Sequence, residues 1–203
     1  MTEQLRIWLR LVPAYAAGYF LSYGLRSVNA VIAPELMLEL GITAAGLGLL
    51  TSAYFLGFGL FQLPLGLLLD RFGPRRVEAA LLMVAAVGCM LFAVGHTLAT
   101  LVLARALIGL GVSACLMASF KAFSQWFAQE RLPSLTATIM VAGGLGALSA
   151  SLPVELALPV FGWRGVFFLC AGLLTLTAGF LLTVPDHANI SHQETFAQQI
   201  RSL

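Results

Sequence analysis

The chain has 203 residues, 60% of them hydrophobic and only 10% charged, with a formal net charge of +2. Soluble domains carry about 25% charged residues, so this chain lacks the charge to cover a water-facing surface and lipid must solvate much of it. The small net charge and the lack of a basic run exclude a nucleic-acid partner. Its three cysteines, Cys89, Cys115 and Cys170, lie in apolar stretches without ligand-like spacing; they read as small buried hydrophobes, with no disulfide, metal or other cofactor expected.

A membrane span needs about 20 mostly apolar residues at 1.5 Å each. The sequence predicts an all-α integral membrane protein with six spans, at about 11–33, 47–69, 77–95, 98–120, 133–155 and 165–184, followed by a polar segment over 186–203. The start, MTEQLRIWLR, lacks the short apolar core and cleavage site of a signal peptide, so the first span is expected to be retained. Pro34 is taken to end that span, Gly73-Pro74 to fill the second loop and Pro133 to open the fifth helix. Gly162-Trp163-Arg164 precedes the sixth helix and Pro185 closes it. The third boundary, at Gly95-His96-Thr97, follows from length: the stretch from Glu78 to Lys121 is too long for one span and right for two with a tight turn.

Lys and Arg favour the cytoplasmic side. With six alternating spans, Arg6, Arg10, Arg71, Arg75, Arg76, Lys121, Arg131 and Arg201 fall on one side, and only Arg26, Arg105 and Arg164 elsewhere. Both termini are therefore expected in the cytoplasm, and merging the third and fourth helices would destroy the asymmetry.

After the second span the chain reads Gly66-Leu-Leu-Leu-Asp70-Arg71-Phe-Gly73-Pro-Arg75-Arg76. This resembles the G-x-x-x-D-R-x-G-x-[RK]-[RK] loop of the major facilitator superfamily, in that family's position between helices two and three. Gly66 would let a neighbouring helix approach, Asp70 would cap a helix or pair with an arginine, Gly73 would permit the turn, and the basic residues would anchor the loop at the anionic inner leaflet. Arg105-Ala-Leu-Ile-Gly109 is similar to the family's R-x-x-x-G. Trp126-Phe127 with Glu130-Arg131, Gly162-Trp163-Arg164 with Phe167, and Ala33-Pro34-Glu35 after Arg26 resemble elements of its anion–cation symporters. Helix five, Gly143-Gly144-Leu-Gly146, lacks the proline of the drug antiporters' signature. The resemblance implies secondary active transport by alternating access, with this chain as the N-terminal half (1–185) and the central cytoplasmic loop starting at 186–203. The family's two halves are related by an axis along the membrane normal. A second six-helix half is thus an expected partner, from the same gene if the chain is truncated, from a separate chain, or from a homodimer.

An ionisable residue at membrane depth is a candidate functional site. Arg26 lies about 22 Å into helix one from the inside, and Arg105 about 10 Å into helix four from the outside, so both share one level in the outer half. Glu35 and Glu155 fall near the outer mouth and Asp70 at the inner end. Two arginines in one cavity would bind carboxylate or phosphate through their planar forks, and the resemblance places helices one and four around the central cavity. Tyr19 and Tyr23 share the face of Arg26, with Ser22 and Asn29 flanking it. The expected site is Arg26, Arg105, Tyr19, Tyr23 and Asn29, and the expected cargo a small organic or inorganic anion. Many of the symporters carry an Asp just before the first-helix arginine, linked to proton coupling. Here Leu25 stands there, so the coupling proton or cation needs another acceptor. The gating motif is Gly66, Asp70, Arg71, Gly73, Arg75 and Arg76.

Gln62 is expected in a helix–helix hydrogen bond, Lys121 at the inner leaflet, His96 in an outer turn, and Gly57, Gly59, Gly109, Gly111, Gly143, Gly144 and Gly146 at close helix contacts. Efflux of a hydrophobic or cationic compound and a non-transporting six-helix fragment are the competing functions. An intramembrane enzyme would need a Gly-x-Ser-Gly, a His-Glu-x-x-His or a helix-embedded acid pair, and none occurs. The cell's inner (plasma) membrane is the expected location, crossed several times.

Overall fold

A computed structural model describes residues 3–185, so the expected loop at 186–203 lies outside the described residues. The chain is a bundle of helices: α1 Glu3–Leu40, α2 Ala44–Phe72, α3 Pro74–Val94, α4 Leu98–Gly111, α5 Cys115–Trp126, α6 Leu132–Ser149 and α7 Leu152–Thr183, with a 3-10 turn at Gln129–Arg131. Five stretches among the described residues are long and apolar enough to cross a membrane: 44–72, 74–94, 98–126, 129–149 and 152–183. Helix α1 is longer than any of them but less apolar, because it carries three of the four tyrosines together with Ser22, Arg26 and Asn29.

Local chemistry explains most helix ends. Gly41 leaves α1 with a φ of 63°, and the Thr43 side chain then caps α2 by accepting from Gly46 N at 3.2 Å. Gly73, at φ 80°, ends α2 and starts α3, with Pro74 in the first turn of α3. Thr97 caps α4.

Three boundaries differ from those the sequence suggests. Pro34 does not end α1, which runs on to Leu40; Ile32 and Leu36, both fully buried, hold the turns on either side of it, and their packing outweighs the lost backbone hydrogen bond. Helix α6 stops at Ser149, short of residue 155, because Pro153 has no N–H for the Ser149 carbonyl and forces a fresh start at Leu152. The last helix begins well before residue 165 and bends at Gly162, whose φ of 63° and ψ of 170° lie outside the helical range.

The fourth span is also interrupted, at Val112–Ala114. There Ser113 Oγ donates back to the Leu110 carbonyl at 2.7 Å, and Gln62 on α2 donates to the Ser113 carbonyl at 3.1 Å. The expected helix–helix hydrogen bond of Gln62 thus serves a carbonyl released by the break.

Glycine sets the spacing of the tightest helix pairs. A Cβ on Gly109 would come closer than 3.0 Å to the Tyr54 carbonyl oxygen, and one on Gly57 closer than that to the Ala106 oxygen, so α2 and α4 touch backbone to backbone in both directions. Gly146 meets the Phe20 carbonyl of α1, Gly111 meets α3 at Ala85, and Gly143 lies against the Tyr19 ring. Gly59, Gly66 and Gly144 have nothing within 4 Å of such a Cβ, so the close neighbour expected at Gly66 is not among the described residues. On α2 the exposed Leu56, Leu60, Leu63 and Leu67 repeat at helical spacing, which leaves one apolar stripe of that helix uncovered.

Candidate functional site

At one end of the bundle the loop motif works as a clasp. Asp70 pairs with Lys121 of α5, in place of the expected helix cap or arginine, and Lys121 is thereby more than a leaflet anchor. Arg75 reaches across to α7 and donates to the carbonyls of Leu182 at 3.3 Å and Val184 at 2.6 Å, closing the C-terminus of that helix. The Arg71 guanidinium lies over the Phe72 ring at 5.4 Å.

A second clasp holds the opposite end. Arg164, two residues past the Gly162 bend, donates to the carbonyls of Ala93 at 2.7 Å and Gly95 at 2.9 Å and pairs with Glu39 at 2.9 Å. Trp163 Nε1 donates to the other Glu39 oxygen at 2.6 Å, and His96 Nδ1 lies 3.3 Å from Arg164. The Trp163 hydrogen bond first, and then Arg164, hold the Glu39 carboxyl below its usual range.

Between these ends lie the arginines. Asn29 of α1 hydrogen-bonds Thr51 of α2, and Arg105 of α4 bonds both Asn29 and the Leu25 carbonyl, so the two arginines do share a level. They do not share a cavity in this conformation. Arg105 is 1% exposed, with its guanidinium over the Phe92 ring at 4.7 Å and the Phe167 ring at 5.3 Å. It donates to the Leu25 carbonyl at 3.1 Å and to Asn29 Oδ1 at 2.9 Å. Asn29 is itself committed at both ends, since its Nδ2 donates to Thr51 Oγ1 at 2.9 Å. The result is one hydrogen-bonded chain from α4 through α1 to α2. Arg105 is enclosed because the aromatic rings of α3 and α7 supply a face for a cation that no carboxylate balances.

Arg26 turns instead toward aromatic side chains of α1 and α2. It is half-buried, and its guanidinium sits among the rings of Tyr23 at 4.7 Å, Phe58 at 5.2 Å and Phe55 at 5.6 Å. Its Nε is buried without a hydrogen bond, and among the described residues no carboxylate pairs with it. Tyr19 and Tyr23 meet edge to face at 4.9 Å, and Tyr19 Oη approaches Met140 Sδ of α6 at 3.9 Å. Tyr54 Oη donates to the Ser22 carbonyl. Of the expected set, Arg26 and the two tyrosines therefore lie together, while Arg105 and Asn29 lie behind them.

Sequence reasoning overlooked Glu78. It was read only as the last charge before a long uncharged run, at the edge of a span. In the structure it is fully buried in α3 with both carboxylate oxygens free of hydrogen bonds. The signal that could have found it is Gly18 on α1, whose missing side chain makes room for the carboxyl.

The model of the Major Facilitator Superfamily matches residues 15–203. The chain belongs to this superfamily. It is 30% identical over 201 residues to a probable sulfoacetate transporter, SauU, of Cupriavidus necator, covering 96% of this chain and 46% of the relative. It is 27% identical to the hexuronate transporter of Escherichia coli, covering 80% of this chain and 38% of the relative. It is also 32% identical to the 4-hydroxybenzoate transporter PcaK of Pseudomonas aeruginosa, covering 74% and 34%. Among solved structures it matches the crystal structure of a D-xylose-proton symporter with a TM-score of 0.75 at 18% identity, covering 96% of this chain and 52% of that one. The chain thus spans less than half the length of these curated relatives. These relatives are named as transporters, and the family together with the long apolar helices makes the chain part of a multi-pass membrane protein.

Proposed function

We propose that this superfamily chain forms the six-span N-terminal half of a secondary transporter that moves a small organic anion by alternating access, with Arg26 as the anchor for the anionic group. The observation that carries the reading is the Arg26 cup. Aromatic faces hold the guanidinium without neutralising its charge, and no carboxylate among the described residues pairs with it, which suits it to a planar anion such as a carboxylate. Tyr19 and Tyr23 line the cup, and Arg105 with Asn29 fixes α1 from behind. The names of the relatives support the cargo class, since sulfoacetate, hexuronate and 4-hydroxybenzoate are all organic acid anions.

In this reading α1 joins the five long apolar stretches as the first of six spans, both termini are cytoplasmic, and the clasps of Asp70 with Lys121 and of Arg75 with α7 make the loop of Gly66, Asp70, Arg71, Gly73, Arg75 and Arg76 the gating element. The uncovered stripe of Leu56, Leu60, Leu63 and Leu67 faces lipid or a second six-helix half, encoded with this one, separately, or as a second copy.

Thermal unfolding of the purified chain with a panel of sulfonates, carboxylates and organic cations tests the reading. A stabilising shift with anions that Arg26→Ala abolishes, and no shift with cations, is expected. A panel response that Arg26→Ala leaves unchanged would refute the anchor, and a response to cations alone would favour efflux of a cationic compound.

A further inference from the structure

Leu25 leaves the α1 arginine without an acidic neighbour, yet the bundle does hold an acid. Glu78 lies in the second turn of α3, about 6 Å along the axis from Pro74 and next to the clasp that Arg75 makes with α7. Its exposure is 0%, and neither carboxylate oxygen has a hydrogen-bond partner. Its cradle is shaped for it. A Cβ on Gly18 would come within 3.0 Å of Oε1, so the α1 backbone closes directly over the carboxyl, and Cys115 Sγ lies 3.8 Å from the same point. The titratable side chain facing Glu78 is thus the Cys115 thiol of α5. From α1 the Gly18 backbone faces it, and among the described residues no cation of α2, α4 or α7 pairs with it.

An enclosed carboxylate with no cation, and only the weak donor of a thiol facing it, is not a stable arrangement, whereas the neutral acid is. Two further features make the enclosure reversible. Cys115 is the first residue of α5, directly after the helix break at Val112–Ala114, so the wall over the carboxyl is the piece of the fourth span least tied to its helix. The other wall is a glycine contact, which carries no interlocking side chain.

We propose that Glu78 is a reversible proton-binding site: protonated, it is sealed between α1 and α5, and deprotonated, it opens that seam to water at the end of the bundle that carries Asp70. The O–H bond forms on a Glu78 oxygen as a hydronium ion from that end gives up its proton, and opening returns the proton to water there. The site is separate from the Arg26 cup and takes no part in binding the anion, so its tests are run without any substrate and their outcome is independent of the anion reading.

Infrared spectroscopy of the purified full chain reads the acid directly. A carboxyl group in water is ionised at neutral pH, and a carboxylic-acid carbonyl band is expected in the wild type that Glu78→Gln and Glu78→Met both remove. Absence of any acid band in the wild type at neutral pH overturns the proposal, without recourse to a variant. Seam opening is read by maleimide labelling of Cys115 in a background with Cys89 and Cys170 replaced by alanine. Labelling is expected to rise several-fold more between pH 6 and pH 9 with Glu78 present than in either charge-free variant. An equal rise in all three would overturn the link between the proton and the seam.

Discussion

The backbone contact between α2 and α4 makes a sharp test of how this half is held. Gly109→Ala puts a methyl group against the Tyr54 carbonyl oxygen, closer than the 3.0 Å that Cβ atoms respect. That oxygen belongs to a helix backbone and cannot swing aside as a long side chain could. The helices must part by roughly 0.5–1 Å, a gap that forfeits about a quarter to a half of each dispersion contact across the seam. The reciprocal contact of Gly57 with Ala106 opens at the same time. The cost expected of such overpacking is about 1–3 kcal/mol. Gly144→Ala is the matched control: it too replaces a helical glycine, but nothing lies within 4 Å of its Cβ, and the better helix former is worth up to about 1 kcal/mol of stabilisation. Both variants gain that propensity, so reversible unfolding in mixed micelles, followed by helix content, should separate them by the overpacking cost, about 1–3 kcal/mol. If Gly109→Ala and Gly144→Ala unfold within 0.5 kcal/mol of each other, roughly the scatter of a neutral substitution, the close approach of α2 and α4 is not what sets the packing.

Two further outcomes are expected. Arg105→Met keeps an unbranched apolar stem but removes the bonds to Leu25 and Asn29; unfolding in the same micelles should lose about 2–4 kcal/mol, with the anion-induced shift weakened and not abolished, and unchanged stability would show that the network is ornamental. Glu39 titrates below the usual carboxylate range because its ionised form is bonded by Trp163 and Arg164, so its contribution is present above about pH 4.3, the unfolded value, and is lost as pH falls through the lower folded one. Thermal unfolding across acid pH should therefore show the wild type falling toward Glu39→Gln as pH drops, and parallel curves at all pH values would refute the clasp.

The parts of the fold that the sequence makes legible are those written in composition and short spacing. The charge-free runs locate the apolar helices, and the Asp70 loop locates the turn between α2 and α3 and names the family. Boundaries set by tertiary packing are not legible in this way. Pro34 reads locally as a stop, and only the burial of Ile32 and Leu36 carries α1 past it. The arginines show both sides of the matter. Rise per residue places Arg26 and Arg105 at one level, as the Arg105 bonds to residues 25 and 29 confirm. How far each one is enclosed depends on where Phe92 and Phe167 fall, and those residues are distant in sequence. Glu78 was invisible for a related reason: its burial is created by a glycine sixty positions earlier on another helix.

The unequal burial of the two arginines has an electrostatic consequence. A charge that water and ions can reach is screened over a Debye length of about 8 Å at physiological salt, while one sealed inside the bundle is screened far less. Salt entering a cavity over Arg26 thins the field of that guanidinium and leaves the field of Arg105 nearly intact. An anion there would feel two positive potentials with different dependence on ionic strength, one from a partner it touches and one from a partner it never meets. The salt dependence of anion affinity would level off at the contribution of the hidden charge.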